Sequence, residues 1–164
     1  MCPIPLSKDC KILHQYLSEN MAYMLNEAYK HGDHSPFWYQ CNIICDKVFC
    51  LIFKSPFKKL IRWNNQPIPD VDRMGYYSQK IPGFAITFSS YPTFTSSVDD
   101  FYLTSANLTI TETTNNVYNH SLWNIVRNGS RNSVFTFIRG MVASRLAKTG
   151  DEWIAYFKYN NSGT

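Results

Sequence analysis

A chain of 164 residues with a net charge of +4 has the length of one domain with a core of its own. Hydrophobic residues make up 45% of it and aromatic residues 16%, which excludes the composition typical of disordered chains. The richest apolar stretch, residues 41–53, is interrupted by Asp46 and Lys47, so the roughly 20 apolar residues of a membrane span are absent. The basic bias is weaker than in nucleic-acid-binding domains, and no nucleic-acid partner is expected.

In chain order, the first third predicts two helices. Apolar residues recur at three- and four-residue steps on one stripe of a helix that ends at His31 and Gly32, and they are Leu13, Leu17, Met21, Met24 and Ala28. Ser35 and Pro36 predict the N-cap and first position of a second helix, which is apolar on most faces and therefore buried. Residues 54–80 contain three prolines and show no sustained period, so they predict a loop or linker.

The middle of the chain predicts an antiparallel sheet. Phe84, Ile86 and Phe88 alternate with small or polar residues, which indicates a half-buried strand over 84–90. Two further strands, at 100–104 and 108–113, flank a short turn at 105–107 and predict a hairpin. We expect the three strands to pair in one sheet.

The last third predicts helices again, at 119–127, at 132–148 and in a short segment capped by Asp151. The longest of these should lie on a face of the sheet and end at Gly150. Its predicted core stripe consists of Val134, Phe137, Ile138, Met141, Val142 and Leu146. The order of helices, strands and helices predicts an α+β fold, with a helical part at 1–53, a linker at 54–80 and a sheet-and-helix part at 81–164.

Cysteines and histidines give weak signals of chemistry. The five cysteines are an odd number and do not suggest a disulfide framework: Cys2, Cys10, Cys41, Cys45 and Cys50. The last three share the second helix but lack the second Cys or His pair of a zinc site, so buried thiols are the simpler interpretation. His31 and His34 flank the helix end and have the chemistry to bind a ligand or relay protons, but a helix-terminal His favoured by the dipole, with a solvated neighbour, is the simpler interpretation. No metal and no other cofactor is expected.

Two charged segments have both a structural and a functional interpretation. Asp99 and Asp100 are adjacent at a strand start and point to opposite faces, so polar caps are favoured over a shared proton. The run at 53–63 interleaves aromatic residues with Lys54, Lys58, Lys59 and Arg62, as surfaces that bind anionic membranes do. A solvated loop is the plainer interpretation of this run.

The sequence gives conflicting indications about export from the cell. Prolines and charges interrupt the first residues where a signal peptide needs an apolar core, so no export signal is expected on the chain itself. Four positions nevertheless match the N-glycosylation pattern: Asn107, Asn119, Asn128 and Asn160. Chance explains them because Asn, Ser and Thr are plentiful; if they are used, the protein is exported by a signal outside this chain.

One pair of segments resembles a known family. Residues 88–92 read FSSYP and residues 99–103 read DDFYL, similar to the phospholipase B-like family, in which an FSSYP strand leads into a DDFY strand. The resemblance runs from Ile81 to Thr164 through TETT at 111–114, the Trp123 helix, VASRLA at 142–147, Gly150, Trp153 and a terminal YNNSGT that has one Asn more than the family's YNSGT. A weaker similarity covers residues 16–40.

The resemblance implies a four-layer αββα fold in which an antiparallel sheet is flanked by helices, as in N-terminal-nucleophile hydrolases. Such an enzyme cleaves itself to free a Cys that acts as nucleophile and amino-terminal base; an amine with a pKa of about 7.7 suits this role. The implied activity is hydrolysis of acyl bonds in phospholipids, or of amides, in the lysosome or outside the cell. Residues placed near the active site are Ser89, Ser90, Tyr91, Asp99, Asp100 and Asn161.

The family's nucleophile is a Cys followed by Ser, and no cysteine here has that neighbour. The segment that would carry it, 54–80, looks short and unlike the family, and the Asn-rich strand that follows NSGT in the family lies beyond Thr164. We therefore expect an incomplete and inactive copy of a lipid-degrading hydrolase. The alternative is a non-catalytic module that binds anionic membrane surfaces through residues 53–63.

Overall fold

The computed structural model describes residues 7–53, 81–90, 96–97, 101–113, 116–124 and 132–161, with the backbone alone over 46–53. The elements are, in order, helices α1 (Lys8–His31) and α2 (Pro36–Phe53), strands β1 (Ile86–Phe88), β2 (Phe101–Thr104) and β3 (Thr109–Thr111), and helices α3 (Thr136–Leu146) and α4 (Gly150–Lys158). This order confirms the α+β fold. Within the described ranges, no helix is both long and apolar enough to cross a bilayer.

Helix α1 ends where the sequence predicts, and both of its ends are capped. The Ser7 side chain accepts a hydrogen bond from the Cys10 backbone N–H, and Gly32 N–H donates to the carbonyl of Ala28 at 2.8 Å. The apolar stripe is divided, however, because Leu13 is 52% exposed whereas Met24 is fully buried. At 1.5 Å per residue α1 is about 36 Å long, and its first half extends past the described core.

Helix α2 lies at the centre of the core. Ser35 Oγ accepts from the backbone N–H of Trp38 at 3.5 Å, which confirms the predicted cap. The described side chains of this helix that are buried are Phe37, Trp38, Gln40, Cys41, Ile44 and Cys45. Helix α2 contacts both α1 and α3, so it joins the two ends of the chain.

The sheet has the order β1-β2-β3, and both pairings are antiparallel, as predicted. Its inner face packs on the core and carries Ile86, Phe88, Tyr102, Thr104 and Ile110. Asn107 makes the turn before β3 with φ 60, a left-handed conformation that Asn tolerates better than most residues. The outer face, with Thr87, Leu103 and Thr109, is exposed, so the described part has helices on one face of one sheet.

Two of the strands are shorter than predicted. Phe84 lies outside β1 and is 70% exposed, and β3 lacks the predicted residues 108, 112 and 113. Residues 81–85 instead form a turn that is fixed to the end of α3, because Gly83 N–H donates to the carbonyl of Arg145 at 2.9 Å. Alternation of side chains alone does not distinguish such a turn from a paired strand.

Four predictions about the last third were wrong. Helix α3 spans Thr136–Leu146 rather than 132–148, and Gly150 begins α4 instead of ending α3. Thr149, not Asp151, caps α4, because its hydroxyl accepts from Glu152 N–H at 3.3 Å. Phe137 is 37% exposed and stacks on Phe135 rather than joining the core.

The predicted helix at 119–127 is helical over 122–124, and its last residues lie outside the described part. The linker at 54–80 lies outside it as well, so the predicted irregularity of that segment stays a prediction. Helix α3 contacts β2, which confirms the predicted position of this helix on the sheet.

Candidate functional site

The FSSYP and DDFY segments meet at one end of the sheet. Ser90 Oγ donates to the carbonyl of Ser96 at 2.7 Å, and the hydroxyl of Tyr102 accepts from Ser97 N–H at 2.9 Å. Ser97 Oγ in turn accepts from Phe101 N–H at 3.1 Å. These bonds fix the connection between β1 and β2. The hydroxyl of Ser90 is thus committed to a backbone carbonyl, while Ser89 is exposed.

A second polar cluster follows α4. Asn160 has a left-handed φ of 51, and its carbonyl accepts from Val134 N–H at 3.0 Å. The Tyr23 hydroxyl donates to Asn160 Oδ1 at 3.4 Å, and burial, with a smaller effect of nearby Glu27, raises the pKa of Tyr23. Two buried atoms here, Asn160 Nδ2 and Asn20 Oδ1, have no hydrogen-bond partner among the described residues. These contacts tie the chain just before Asn161 to α1.

The six residues expected near the active site therefore fall into different places. Ser89 and Ser90 follow β1, and Asn161 follows α4 and is exposed. Tyr91, Asp99 and Asp100 lie outside the described residues. No catalytic centre is assembled from the members that the structure describes.

The buried thiols of α2 form a pair. Cys41 and Cys45 are both fully buried, and their Sγ atoms are 3.7 Å apart. The hydrogen bond with Cys45, together with burial, raises the pKa of the Cys41 thiol far above its usual range. A protonated, inaccessible thiol is a poor nucleophile, so the pair has the properties of core residues.

Helix α3 buries two arginines, and the first is fully bonded. Arg139 Nε donates to the carbonyl of Val134 at 3.0 Å, and Nη1 donates to the carbonyl of Phe157. Its Nη2 donates to Thr136 Oγ1 at 3.2 Å, and the guanidinium lies 4.8 Å from the centre of the Phe157 ring. Burial lowers the pKa of Arg139. This arginine joins α3 to α4.

The second buried arginine has fewer partners. Arg145 Nε donates to Gln40 Oε1 at 2.7 Å, and among the described residues no other acceptor and no carboxylate bonds to its guanidinium. The Arg145 side chain is nearly buried, which lowers its pKa. A buried cation normally requires a counter-ion or several hydrogen bonds. The surroundings of Arg145 are thus unusual for a structural arginine.

A cavity of about 180 Å³ lies beside this pair. It is lined by Pro36, Tyr39, Gln40, Ile81, Pro82, Leu146, Lys148 and Tyr156. Among the described lining residues, Lys148 is the one cation and none is acidic. The lining combines apolar residues with four polar ones, which are Gln40, Lys148, Tyr39 and Tyr156.

The histidine at the end of α1 has a structural environment. His31 Nε2 lies 3.6 Å from Glu27 Oε2, and the Glu27 carboxylate also pairs with Lys30. In the portion that the structure covers, no three His, Cys, Asp or Glu side chains are grouped to hold a metal ion. His31 is therefore best explained as a residue favoured at a helix C-terminus.

The four glycosylation sequons differ in exposure. Asn107 lies on an exposed turn. Asn119 is exposed, but its Oδ1 accepts from the backbone N–H and the hydroxyl of Ser121. The Nδ2 atom of Asn160, to which a glycan would be attached, is buried. Asn128 lies outside the described residues, as does the basic segment from Lys54 to Arg62.

Comparison with known proteins identifies the family of this chain. The model of the family named phospholipase B matches residues 55–164, well over half of the chain. The chain belongs to the phospholipase B family. This match confirms the resemblance and also corrects its extent, because it begins at residue 55 and includes the segment 55–80 that we expected to be unlike the family.

Curated relatives carry the same family name. A phospholipase B-like protein of Caenorhabditis elegans is 36% identical over 99 residues, which cover 60% of this chain and 17% of that protein. Phospholipase B-like protein G of Dictyostelium discoideum is 43% identical over 81 residues, or 49% of this chain and 13% of the relative. A human phospholipase B-like protein is 44% identical over 84 residues, which cover 51% of this chain and 14% of the human protein. The chain therefore matches about a sixth or less of these relatives' length.

Sequence reasoning missed the most unusual group in the structure. Gln40, Arg145 and Lys148 were not singled out for any chemistry, although Gln40 and Arg145 both lie in segments that resemble the family. Gln40 and Arg145 are 105 residues apart, so no local pattern could reveal their contact. A buried Arg in an otherwise small and apolar VASRLA segment was the available signal.

Proposed function

We propose that this chain is part of a phospholipase B-like hydrolase that cleaves acyl-ester bonds of lipids, or amide bonds, and that on its own it is inactive. The match to the phospholipase B family over residues 55–164 is the observation that supports the reaction class. The sheet with α3 packed on it is compatible with one half of an αββα hydrolase. The role of this segment is then to form the scaffold beside the catalytic centre.

The proposed inactivity rests on the cysteines. None of the five is followed by Ser, and Cys41 and Cys45 are buried. The hydrogen bond with Cys45, together with burial, raises the pKa of the Cys41 thiol. Without a nucleophile the covalent route is closed, and an oxyanion donor alone recovers little of the rate. A free amine beside an exposed thiol is the arrangement that this chain would need.

The test is an assay of the purified chain. Fatty-acid release from phosphatidylcholine and the intact mass are measured for the chain and for a variant with all five cysteines changed to Ser. We expect no release above the variant and no shorter product. Cysteine-dependent release, or a cleaved product that begins with Cys, would contradict the proposal. A full-length relative that carries a Cys-Ser nucleophile serves as the positive control.

We further propose that the protein is exported, to the lysosome or outside the cell, and glycosylated. Cys10 is disulfide-bonded, and such bonds persist mainly in oxidising compartments. We expect a glycan on Asn107, which is exposed, and none on Asn160, whose Nδ2 is buried. The chain is produced in a eukaryotic secretory host behind an added leader, and the mass shift on glycosidase treatment is compared with that of Asn107→Gln. An unglycosylated wild-type chain would contradict this proposal.

A membrane-binding module remains the second candidate, supported by the basic and aromatic residues at 53–63. Binding to vesicles with anionic lipid should then fall with added salt. It should also fall when Lys54, Lys58, Lys59 and Arg62 are all changed to Ala. Binding that does not depend on lipid charge would remove this candidate.

A further inference from the structure

We propose that the cavity beside Gln40 and Arg145 is a binding site for a phosphoryl oxyanion, held by the Gln40 amide and the Lys148 ammonium. The proposal concerns binding by this chain and does not require that the chain hydrolyse anything. It can therefore fail or succeed independently of the proposed hydrolase function.

The orientation of the Gln40 amide follows from chemistry. An arginine side chain can donate hydrogen bonds but cannot accept them, so the amide must present its oxygen to Arg145 Nε, at 2.7 Å. This leaves Gln40 Nε2, a donor, for the cavity that Gln40 lines. Within the described ranges, Nε2 has no hydrogen-bond partner, although the Gln40 side chain is 1% exposed. The site therefore offers a fixed, unpartnered donor.

The charges around the cavity favour a doubly charged anion. Lys148 lines the cavity and Arg145 lies directly behind Gln40, and none of the lining residues that the structure describes is acidic. The nearby carboxylate of Glu152 accepts from the backbone N–H of Lys148 at 2.7 Å and does not line the cavity. The first turn of α2, with Pro36 and Tyr39, adds the positive end of a helix dipole.

The size and wall of the cavity restrict the ligand. About 180 Å³ corresponds to several water molecules at roughly 30 Å³ each, enough for a phosphoryl group with a short body. The apolar side chains of Ile81, Pro82 and Leu146 can contact such a body. The phosphoryl group could come from free phosphate or from a lipid headgroup, and glycerol 3-phosphate represents the headgroup without its acyl chains.

The hydrogen bonds of Arg145 are fewer than those of Arg139, which argues against a purely structural role for Arg145. Arg139 uses Nε, Nη1 and Nη2 on three acceptors and lies against an aromatic ring. Arg145, six residues later on the same helix, bonds through Nε alone among the residues that the structure describes. A bound dianion would provide the missing counter-charge near its guanidinium.

The experiment titrates the whole chain with inorganic phosphate, glycerol 3-phosphate and acetate at constant ionic strength, by calorimetry and by the side-chain amide NMR signal of Gln40. We expect both phosphoryl probes to bind and to shift the Gln40 signal, and acetate to bind more weakly. Tighter binding of glycerol 3-phosphate than of phosphate would indicate a headgroup site, and the reverse a site for free phosphate. No binding of either probe, or equal binding of acetate, would overturn the proposal.

Matched variants locate the site. Lys148→Gln should weaken phosphate binding about tenfold or more, as expected for loss of one charge-assisted contact, whereas Lys158→Gln, an exposed lysine on α4 outside the lining, should have little effect. Gln40→Glu keeps the shape and gives Arg145 a counter-ion, so the chain should stay folded while phosphate binding is lost. Unchanged binding in Lys148→Gln or Gln40→Glu would show that the cavity is not the site.

Discussion

Helix α3 carries two buried arginines, and their surroundings at its two ends differ. Arg139 is bonded to two backbone carbonyls and a hydroxyl and stacks on Phe157, so it acts as a structural connector between α3 and α4. In the described part of the chain, Arg145 bonds to Gln40 and stands beside a cavity. Burial alone therefore does not define an arginine's role; the number of satisfied donors does.

The largest effect on stability is expected at the connector. Arg139→Met leaves the carbonyls of Val134 and Phe157 buried without donors, at about 1–3 kcal/mol for each unsatisfied group. We expect a total loss of about 3 kcal/mol or more in the free energy of unfolding. Urea denaturation followed by circular dichroism measures it. Arg139→Lys, which keeps the charge but not the planar fork, should lie between wild type and Arg139→Met, and an unchanged midpoint in Arg139→Met would contradict the connector role.

The C-terminal end of α3 depends on the close approach of its backbone to Gly83. A Cβ on Gly83 would lie 2.0 Å from the carbonyl oxygen of Ser144, so Gly83→Ala must displace the turn and its bond to the carbonyl of Arg145. We expect a loss of about 1–3 kcal/mol, as for other overpacked sites. Gly150→Ala is the control in the same assay, because its Cβ would meet nothing within 4 Å. Equal midpoints for the two variants would show that the turn is not packed on α3.

The cap that separates α3 from α4 should contribute less. Thr149→Ala removes the hydroxyl that accepts from Glu152 N–H and should cost about 1 kcal/mol. Thr149→Ser keeps this acceptor and should retain most of the stability. Thermal unfolding of the three proteins provides the comparison, and a Thr149→Ser variant as unstable as Thr149→Ala would assign the effect to the lost methyl group instead.

The fold could be predicted from sequence where local chemistry decides. Gly32 ended α1, Ser35 and Pro36 began α2, and period-two alternation indicated β1. The predictions failed where packing overrides the period. Helix α3 is buried on nearly every face, including Arg139 and Ser144, so no single apolar stripe describes it and Phe137 was assigned to the core wrongly.

The candidate sites were less accessible to sequence reasoning. The family motifs led to Ser89, Ser90 and Asn161, which the structure places on separate elements. The Gln40 and Arg145 contact depends on how α2 and α3 pack, and it joins residues far apart in the chain. Periodicity reports which residues are buried, but it does not report which buried polar atoms lack partners.

The smallest effect on stability is expected at Arg145. Arg145→Met replaces a buried charge that has one described hydrogen bond with an apolar side chain of comparable length, a change that is often neutral or stabilising. The substitution leaves Gln40 Oε1 without a donor, which costs about 1 kcal/mol. It also removes the cost of burying a guanidinium, whose pKa is lowered by burial. We expect a change within about 1 kcal/mol by urea denaturation, well below that of Arg139→Met.

The double variant Gln40→Met with Arg145→Met should be at least as stable as the single one, because no orphaned acceptor remains. A loss at Arg145 as large as that at Arg139 would mean that its guanidinium has structural partners equal to those of Arg139, and the contrast between the two ends of α3 would disappear.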